Sequence, residues 1–97
     1  MNVVVRYLAQ LRRLAGRSDE RLSLPAGCTV GQLVGRLAAA NEAMGRALLD
    51  DRGGVRPTIL VFVGDEQAAK DRPLEDGDEV VLMTPIAGGS GRMKDEG

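Results

Sequence analysis

The clearest structural signal in the chain is the stretch TVGQLVGRLA at residues 29–38. Thr29 is a favourable helix N-cap, and Gln32 three residues later completes a capping-box pattern. The apolar residues that follow recur at the spacing of one helix face: Val30, Leu33, Val34, Leu37 and Ala38. We therefore predict one main amphipathic helix, with a shorter continuation that Asn41 caps.

Strand-like segments lie on both sides of this helix. Residues 3–7 are rich in β-branched side chains, and residues 21–24 alternate polar with apolar ahead of a proline. After the helix, residues 59–63 form a continuous apolar run, which predicts a strand covered on both faces. We also expect a short edge strand at 67–70 and a last strand at 79–84.

This order of elements predicts an α+β domain. A mixed sheet of four to five strands, with the main helix across one face, would bury the apolar side of both. Leu8, Leu11 and Ala15 recur at helical spacing ahead of Gly16, so we expect one or two helical turns or a loop between the first two strands.

The composition excludes most kinds of side-chain chemistry. The 97 residues suit one domain, and they include no histidine and one cysteine. Histidine-based acid–base catalysis, catalytic triads, an internal disulfide and a cysteine zinc site are therefore excluded. A net charge of −1 and two aromatic residues argue against a nucleic-acid binder. No membrane span or secretion signal is indicated, so we expect a cytoplasmic protein.

The character of the chain changes at Pro85. The segment PIAGG at 85–89 is followed by eight residues rich in glycine and charge, at 90–97. We place the domain at 1–87 and expect a flexible tail over 88–97. Gly88 and Gly89 either begin a disordered end or mark a future C-terminus, which without Cβ atoms could enter a narrow active-site channel.

Four segments of the chain together match the pattern of a known family: LAQLR at 8–12 with Gly16, LPAGCTV at 24–30, LEDGDEV at 74–80 and PIAGG at 85–89. Each also has an ordinary structural role, but together they span residues 1–89 in family-like order. With these segments the chain resembles the MoaD/ThiS sulfur-carrier proteins, which are ubiquitin-like β-grasp domains.

The resemblance implies a carrier protein and not an enzyme. A ubiquitin-activating-enzyme-like adenylyltransferase would use ATP to adenylate the carboxylate of Gly89, and a sulfur donor would convert it to a thiocarboxylate. Ile86, Ala87 and Gly88 would enter the channel of the partner, and a biosynthetic enzyme would accept the sulfur. No cofactor is expected on this chain, since ATP and its metal ion belong to the activating enzyme.

The chain departs from the family pattern by continuing after the second glycine. Residues 90–97 leave Gly89 without a free carboxylate, so the resemblance implies trimming by a JAMM-type metallopeptidase, unless the extension is not native. Three alternatives stay open: a ubiquitin-like modifier conjugated through Gly89, the small subunit of molybdopterin synthase, and an interaction module in which the glycine pair is inert.

A few further residues are candidates for function. Leu60, Phe62 and Leu82 could present apolar surface to a partner, since exposed apolar patches mark interfaces. Cys28 precedes a helix start, where a thiol pKa can be lowered, but a small buried core cysteine is the more common case. Residues 50–51 are interpreted as loop and not as a metal site.

Overall fold

The computed structural model describes residues 1–84. The predicted domain end at 87 and the predicted tail at 88–97 lie outside the described residues. The strands are β1 Asn2–Tyr7, β2 Asp19–Ser23, β3 Leu60–Val63, β4 Glu66–Gln67 and β5 Glu79–Met83. The helices are α1 Gln10–Ala15, α2 Val30–Ala40 and α3 Glu42–Leu48.

The five strands form one mixed sheet in the order β2-β1-β5-β3-β4. The central pair, β1 and β5, is parallel, and the other pairs are antiparallel. The turn at 75–78 holds the start of β5 against β1, since Asp76 Oδ1 accepts a hydrogen bond from the Asn2 N–H at 2.7 Å. The predicted α+β class and mixed sheet are confirmed.

The predicted helix caps are present. The Thr29 hydroxyl accepts from the Gln32 N–H at 3.2 Å, and the Gln32 side chain accepts from the Thr29 N–H at 2.9 Å. Asn41 accepts from the Met44 N–H at the start of α3 and donates to the Leu14 carbonyl at 3.2 Å. This one amide therefore ties α3 to α1.

The hydrophobic core lies between α2 and one face of the sheet. It joins alternate residues of the strands to the apolar face of the helix, including Val5, Val61, Leu82, Leu33 and Leu37. All the predicted core positions of α2 are buried. The two shorter helices add fewer side chains to the core: Leu11 from α1, and Met44 and Leu48 from α3.

The prediction that 59–63 is covered on both faces was wrong. Val61 and Val63 are buried, but Leu60 and Phe62 are only half-buried on the opposite face. The core of the described chain lies on one side of the sheet, which leaves the other side of β3 open. The edge strand also differs from the prediction. A tight turn at Gly64 (φ 61°) sets Glu66 opposite Val63, so the strand begins one residue earlier than predicted, and its pairing with β3 ends at Gln67.

The segment between β1 and β2 is helical, but the helix begins later than the spacing of Leu8, Leu11 and Ala15 suggested. Helix α1 begins only at Gln10, so Leu8 lies outside it and is exposed. Ala9 takes φ 54° and ψ −128° at the turn into the helix. Gly16, at φ 76°, closes α1 as predicted, with its N–H donating to the Arg12 carbonyl.

Candidate functional site

The helix-free face of the sheet carries a patch of partly exposed apolar side chains. Leu60 lies directly across from Met83, and Phe62 directly across from Val81. Val4 lies on the same face, on β1, and is across from Glu79. The side chains of the two cross-strand pairs contact one another and form a continuous apolar surface, and the Arg6–Glu79 ion pair lies between this surface and Val4. We call the five apolar residues the open-face patch.

Charged side chains border the open-face patch on the side of β1 and β2. Arg6 forms an ion pair with Glu79, and both side chains are about half exposed. Arg21 is exposed and lies across from Val4 on the neighbouring strand. An apolar centre with a polar rim is the usual anatomy of a protein–protein interface. This face is therefore suited to binding another protein.

The three residues that were predicted to present apolar surface to a partner do not all lie on the open face. Leu60 and Phe62 lie in the open-face patch, and their contact with a partner stays a prediction. The prediction for Leu82 was wrong, because its side chain is fully buried in the core. Alternation along β5 decides this, since Val80 and Leu82 point towards α2, whereas Val81 and Met83 point away from it.

Leu8 is a surface residue that the sequence analysis missed. It is 39% exposed, and its N–H donates to the Leu82 carbonyl at 3.0 Å, which places it beside the end of β5. The signal that could have found it is the two-residue alternation of β1. Val4 and Arg6 face away from the core, and Leu8 continues that series.

The segment that the sequence analysis placed in a partner channel lies outside the described residues. This applies to Ile86, Ala87, Gly88 and Gly89. Strand β5, which leads to them, is held between β1 and β3 in the centre of the sheet. Gly89 therefore follows a firmly anchored strand by only a few positions of sequence.

The buried titratable groups have structural roles. The hydroxyl of Tyr7 donates to Glu20 Oε1 at 2.8 Å. Burial and then the Glu20 carboxylate raise the pKa of Tyr7 well above its usual value, so the hydroxyl stays protonated and stays a donor. Cys28 is buried, and its thiol lies 3.7 Å from the Thr29 carbonyl as a weak donor.

Neither a metal centre nor a membrane-spanning helix is found in the described part of the chain. Within residues 1–84, no three acidic, cysteine or histidine side chains are grouped so that they could hold a metal ion. None of the helices there is long and apolar enough to cross a bilayer.

Comparison with known proteins identifies the family. The family model described as the ThiS family matches residues 5–89, which is most of the chain and ends at the second glycine of the pair. The chain belongs to the ThiS family. This family consists of ubiquitin-like sulfur carriers and modifiers, and its members are generally not enzymes.

Individual relatives of this ThiS-family chain agree with the assignment. The molybdopterin synthase sulfur carrier subunit of Escherichia coli is 31% identical over 90% of this chain and 99% of its own. Small archaeal modifier protein 1 of Haloferax volcanii is 30% identical over 87% of this chain and 97% of its own.

The fold also matches solved structures of the family. The crystal structure of the same Haloferax volcanii modifier superposes with a TM-score of 0.85 at 28% identity, covering 92% of this chain and all of that one. The predicted ubiquitin-like β-grasp fold is thereby confirmed.

Proposed function

We propose that this chain is a sulfur carrier that transports sulfur as a thiocarboxylate on Gly89. The observation that carries the proposal is that the ThiS-family match ends at Gly89, although eight more residues follow. A relative named as a sulfur carrier subunit, matched over 99% of its length, supports it.

The chemistry takes place at the main-chain carboxylate. A carboxylate oxygen of Gly89 attacks the α-phosphorus of ATP, and pyrophosphate leaves to give an acyl-adenylate. Hydrosulfide from a sulfur donor then attacks the carbonyl carbon, and AMP leaves with the bonding electron pair. ATP and its metal ion are held by the adenylyltransferase. The buried Tyr7 hydroxyl and Cys28 thiol take no part, which agrees with a carrier without a catalytic centre of its own.

Removal of residues 90–97 precedes this chemistry. The Gly89–Ser90 bond of the 97-residue chain is an amide, and an amide offers no carboxylate for adenylation. A JAMM-type metallopeptidase is the class of enzyme we expect to hydrolyse it. Absence of a side chain at Gly88 and Gly89 leaves the backbone accessible to close approach by both enzymes.

The open-face patch is the surface on which we place the adenylyltransferase. Strand β5 carries Val81 and Met83 on this face, and Gly89 follows Met83 by six positions in the sequence. The partly exposed Leu60 and Phe62 supply apolar contact area, and the charges of Arg6 and Glu79 orient the partner.

Adenylation can be tested directly. The 97-residue chain and a chain ending at Gly89 are each incubated with a ThiS-type adenylyltransferase, ATP and labelled pyrophosphate. We expect ATP–pyrophosphate exchange with the shorter chain only. A matched shorter chain carrying Gly89→Ala tests whether the channel requires glycine. Absence of exchange with the shorter chain, when a known carrier is active in the same assay, would contradict the proposal.

A second candidate function is attachment to lysine through the same glycine. It is favoured by the similarity to a protein named as an archaeal modifier, at 30% identity. The acyl-adenylate or thiocarboxylate would then be attacked by a lysine amine instead of delivering sulfur. Lysine-linked adducts in cells expressing the chain that ends at Gly89, and their loss with Gly89→Ala, distinguish this function from sulfur transfer. The alternative of a molybdopterin synthase small subunit is also sulfur transfer, with a molybdopterin precursor as the acceptor.

A further inference from the structure

A second surface, next to the open-face patch, lies along the outer edge of β2. This strand is at one end of the sheet and pairs only with β1. Its residues Asp19, Arg21 and Ser23 are exposed, and the strand contains no proline. Proteins commonly shorten, cover or interrupt such edges because an unpaired strand invites pairing with another chain.

The register shows which backbone groups of β2 are unpaired. The Tyr7 N–H donates to the Ser18 carbonyl at 2.9 Å, and the Leu24 N–H donates to the Met1 carbonyl at 2.7 Å. Antiparallel ladders alternate, so the even-numbered residues of β2 bond to β1. The N–H and carbonyl groups of Asp19, Arg21 and Ser23 therefore point outwards. Within residues 1–84, no hydrogen-bonding partner is found for these groups.

A cleft of about 280 Å³ runs beside this edge, between β2 and α2. Its apolar lining includes Leu22, Leu24, Leu37 and Ala40, and its polar lining includes Arg17 and Arg36. Leu22 lies across from the buried Val3, so the cleft is on the helix side of the sheet. Every second residue of a strand added to β2 would therefore point into it.

The charges around the cleft favour an acidic ligand. Glu20 is already engaged, since it accepts from the Tyr7 hydroxyl at 2.8 Å and lies 3.9 Å from Arg17. Arg36 is exposed on α2, and among the described residues it has no ion-pair partner. The guanidinium of Arg36 is the charge that a ligand carboxylate can meet in bidentate geometry.

We propose that the edge of β2 is a docking site for an extended acidic segment of a partner protein. The segment adds to the five-stranded sheet as a further strand, bonded to the outward groups of Asp19, Arg21 and Ser23. It places an aliphatic side chain in the cleft and a carboxylate beside Arg36. Main-chain hydrogen bonds give such a site affinity, and the pocket for alternate side chains gives it specificity.

This site and the open-face patch can be occupied together. Strand β2 is separated from β5 by β1, and the cleft opens on the helix side of the sheet, whereas the patch is on the other side. A protein held at β2 therefore leaves the apolar side chains of β3 and β5 on the open face accessible to an activating enzyme.

The test uses a defined peptide probe and the full 97-residue chain. The probe is the acetylated, amidated peptide Thr-Val-Thr-Asp-Thr-Val-Thr, whose alternation sets Val, Asp and Val on one face. In a titration followed by amide NMR shifts, we expect the largest changes at Asp19, Arg21 and Ser23. The same peptide with Lys in place of Asp serves as the charge control and should bind roughly threefold to tenfold more weakly.

Two pairs of variants separate the backbone contact from the charge contact. Arg21→Pro removes one outward N–H without removing a bond to β1, and we expect it to abolish binding, whereas Arg21→Ala keeps the N–H and keeps binding. Arg36→Glu should weaken binding roughly threefold to tenfold. Arg52→Glu, the matched charge reversal in the exposed 50–54 loop, should leave it unchanged.

Several results would overturn the proposal. These are absence of binding, largest shifts at β4 or the open-face patch, or equal binding by the Asp and Lys peptides. Shifts at β2 that grow with protein concentration without peptide would assign the edge to a second copy of this chain instead. Arg36→Glu is an exposed helix substitution, so it decides the outcome even where Arg21→Pro does not fold.

Discussion

At the scale of single residues, Tyr7 is the clearest reporter of the fold. It is the only tyrosine, and the chain has no tryptophan, so tyrosinate absorbance reports this one side chain. It is 2% exposed, and its hydroxyl donates to Glu20. Because Tyr7 lies in the core and lines the cleft between β2 and α2, its ionisation reports whether this part of the protein is folded.

We predict that the unfolding free energy falls as pH rises above about 10. Burial and Glu20 raise the folded pKa of Tyr7 above its ordinary value of 10.0, so above that pH the unfolded chain releases a proton that the folded chain keeps. Denaturant unfolding at a series of pH values checks this, with Tyr7→Phe as the matched variant. A pH dependence above 10 that is identical in both proteins would contradict the assignment.

Ala9 provides a second test at the residue scale. It is the first central residue of a turn in which the Leu11 N–H donates to the Leu8 carbonyl at 3.2 Å. Its φ of 54° and ψ of −128° suit the glycine position of a type II′ turn, and this conformation is costly for a residue with a Cβ.

We predict that Ala9→Gly stabilises the protein by about 1 kcal/mol, because the strain removed exceeds the added entropy of the unfolded chain. Ala15→Gly, within α1, is the control and should destabilise by about 0.5–1 kcal/mol. Thermal or denaturant unfolding measures both. Destabilisation by Ala9→Gly would show that Ala9 does not have the positive φ described.

At the scale of elements, alternation along β3 and β5 divides the apolar residues between core and surface. Phe62 is half-buried on the open face, whereas Leu82 on the neighbouring strand is fully buried. Both are large apolar residues in strands, but only the first can contact a partner. Their substitutions should therefore affect different properties.

We predict that Phe62→Glu raises the KM for the carrier in the adenylation assay by roughly tenfold or more. Its effect on unfolding should be about 1 kcal/mol or less. In contrast, Leu82→Ala should lower the unfolding free energy by about 2–5 kcal/mol through the cavity it leaves. At a temperature where that variant is folded, its KM should be unchanged. An unchanged KM for Phe62→Glu would contradict the proposal that the adenylyltransferase binds the open-face patch.

At the scale of the whole molecule, the sequence predicts the architecture well. The capping box at Thr29 and the heptad-like spacing after it are local signals, and both are present in the structure. The order of strands around the helix then leaves few ways to bury the apolar faces. The mixed sheet therefore follows from patterns that depend little on tertiary contacts.

The sequence does not predict which faces of β3 and β5 are open. Leu60, Phe62 and Leu82 all lie in continuous apolar runs, and such runs carry no period to show the buried side. The free edge of β2 was also missed, because the order of strands within a sheet is a tertiary property. The Gly88–Gly89 pair is a signal that sequence alone supplies, since it lies outside the described residues.

The central claim is that Gly89 carries sulfur as a thiocarboxylate, and intact mass tests it most directly. The 97-residue chain and the chain ending at Gly89 are incubated with ATP, a ThiS-type adenylyltransferase and sulfide, and then weighed. We predict that only the shorter chain gains the mass difference of one oxygen replaced by one sulfur. If the folded shorter chain keeps its mass while a control carrier is converted in the same reaction, the claim is contradicted.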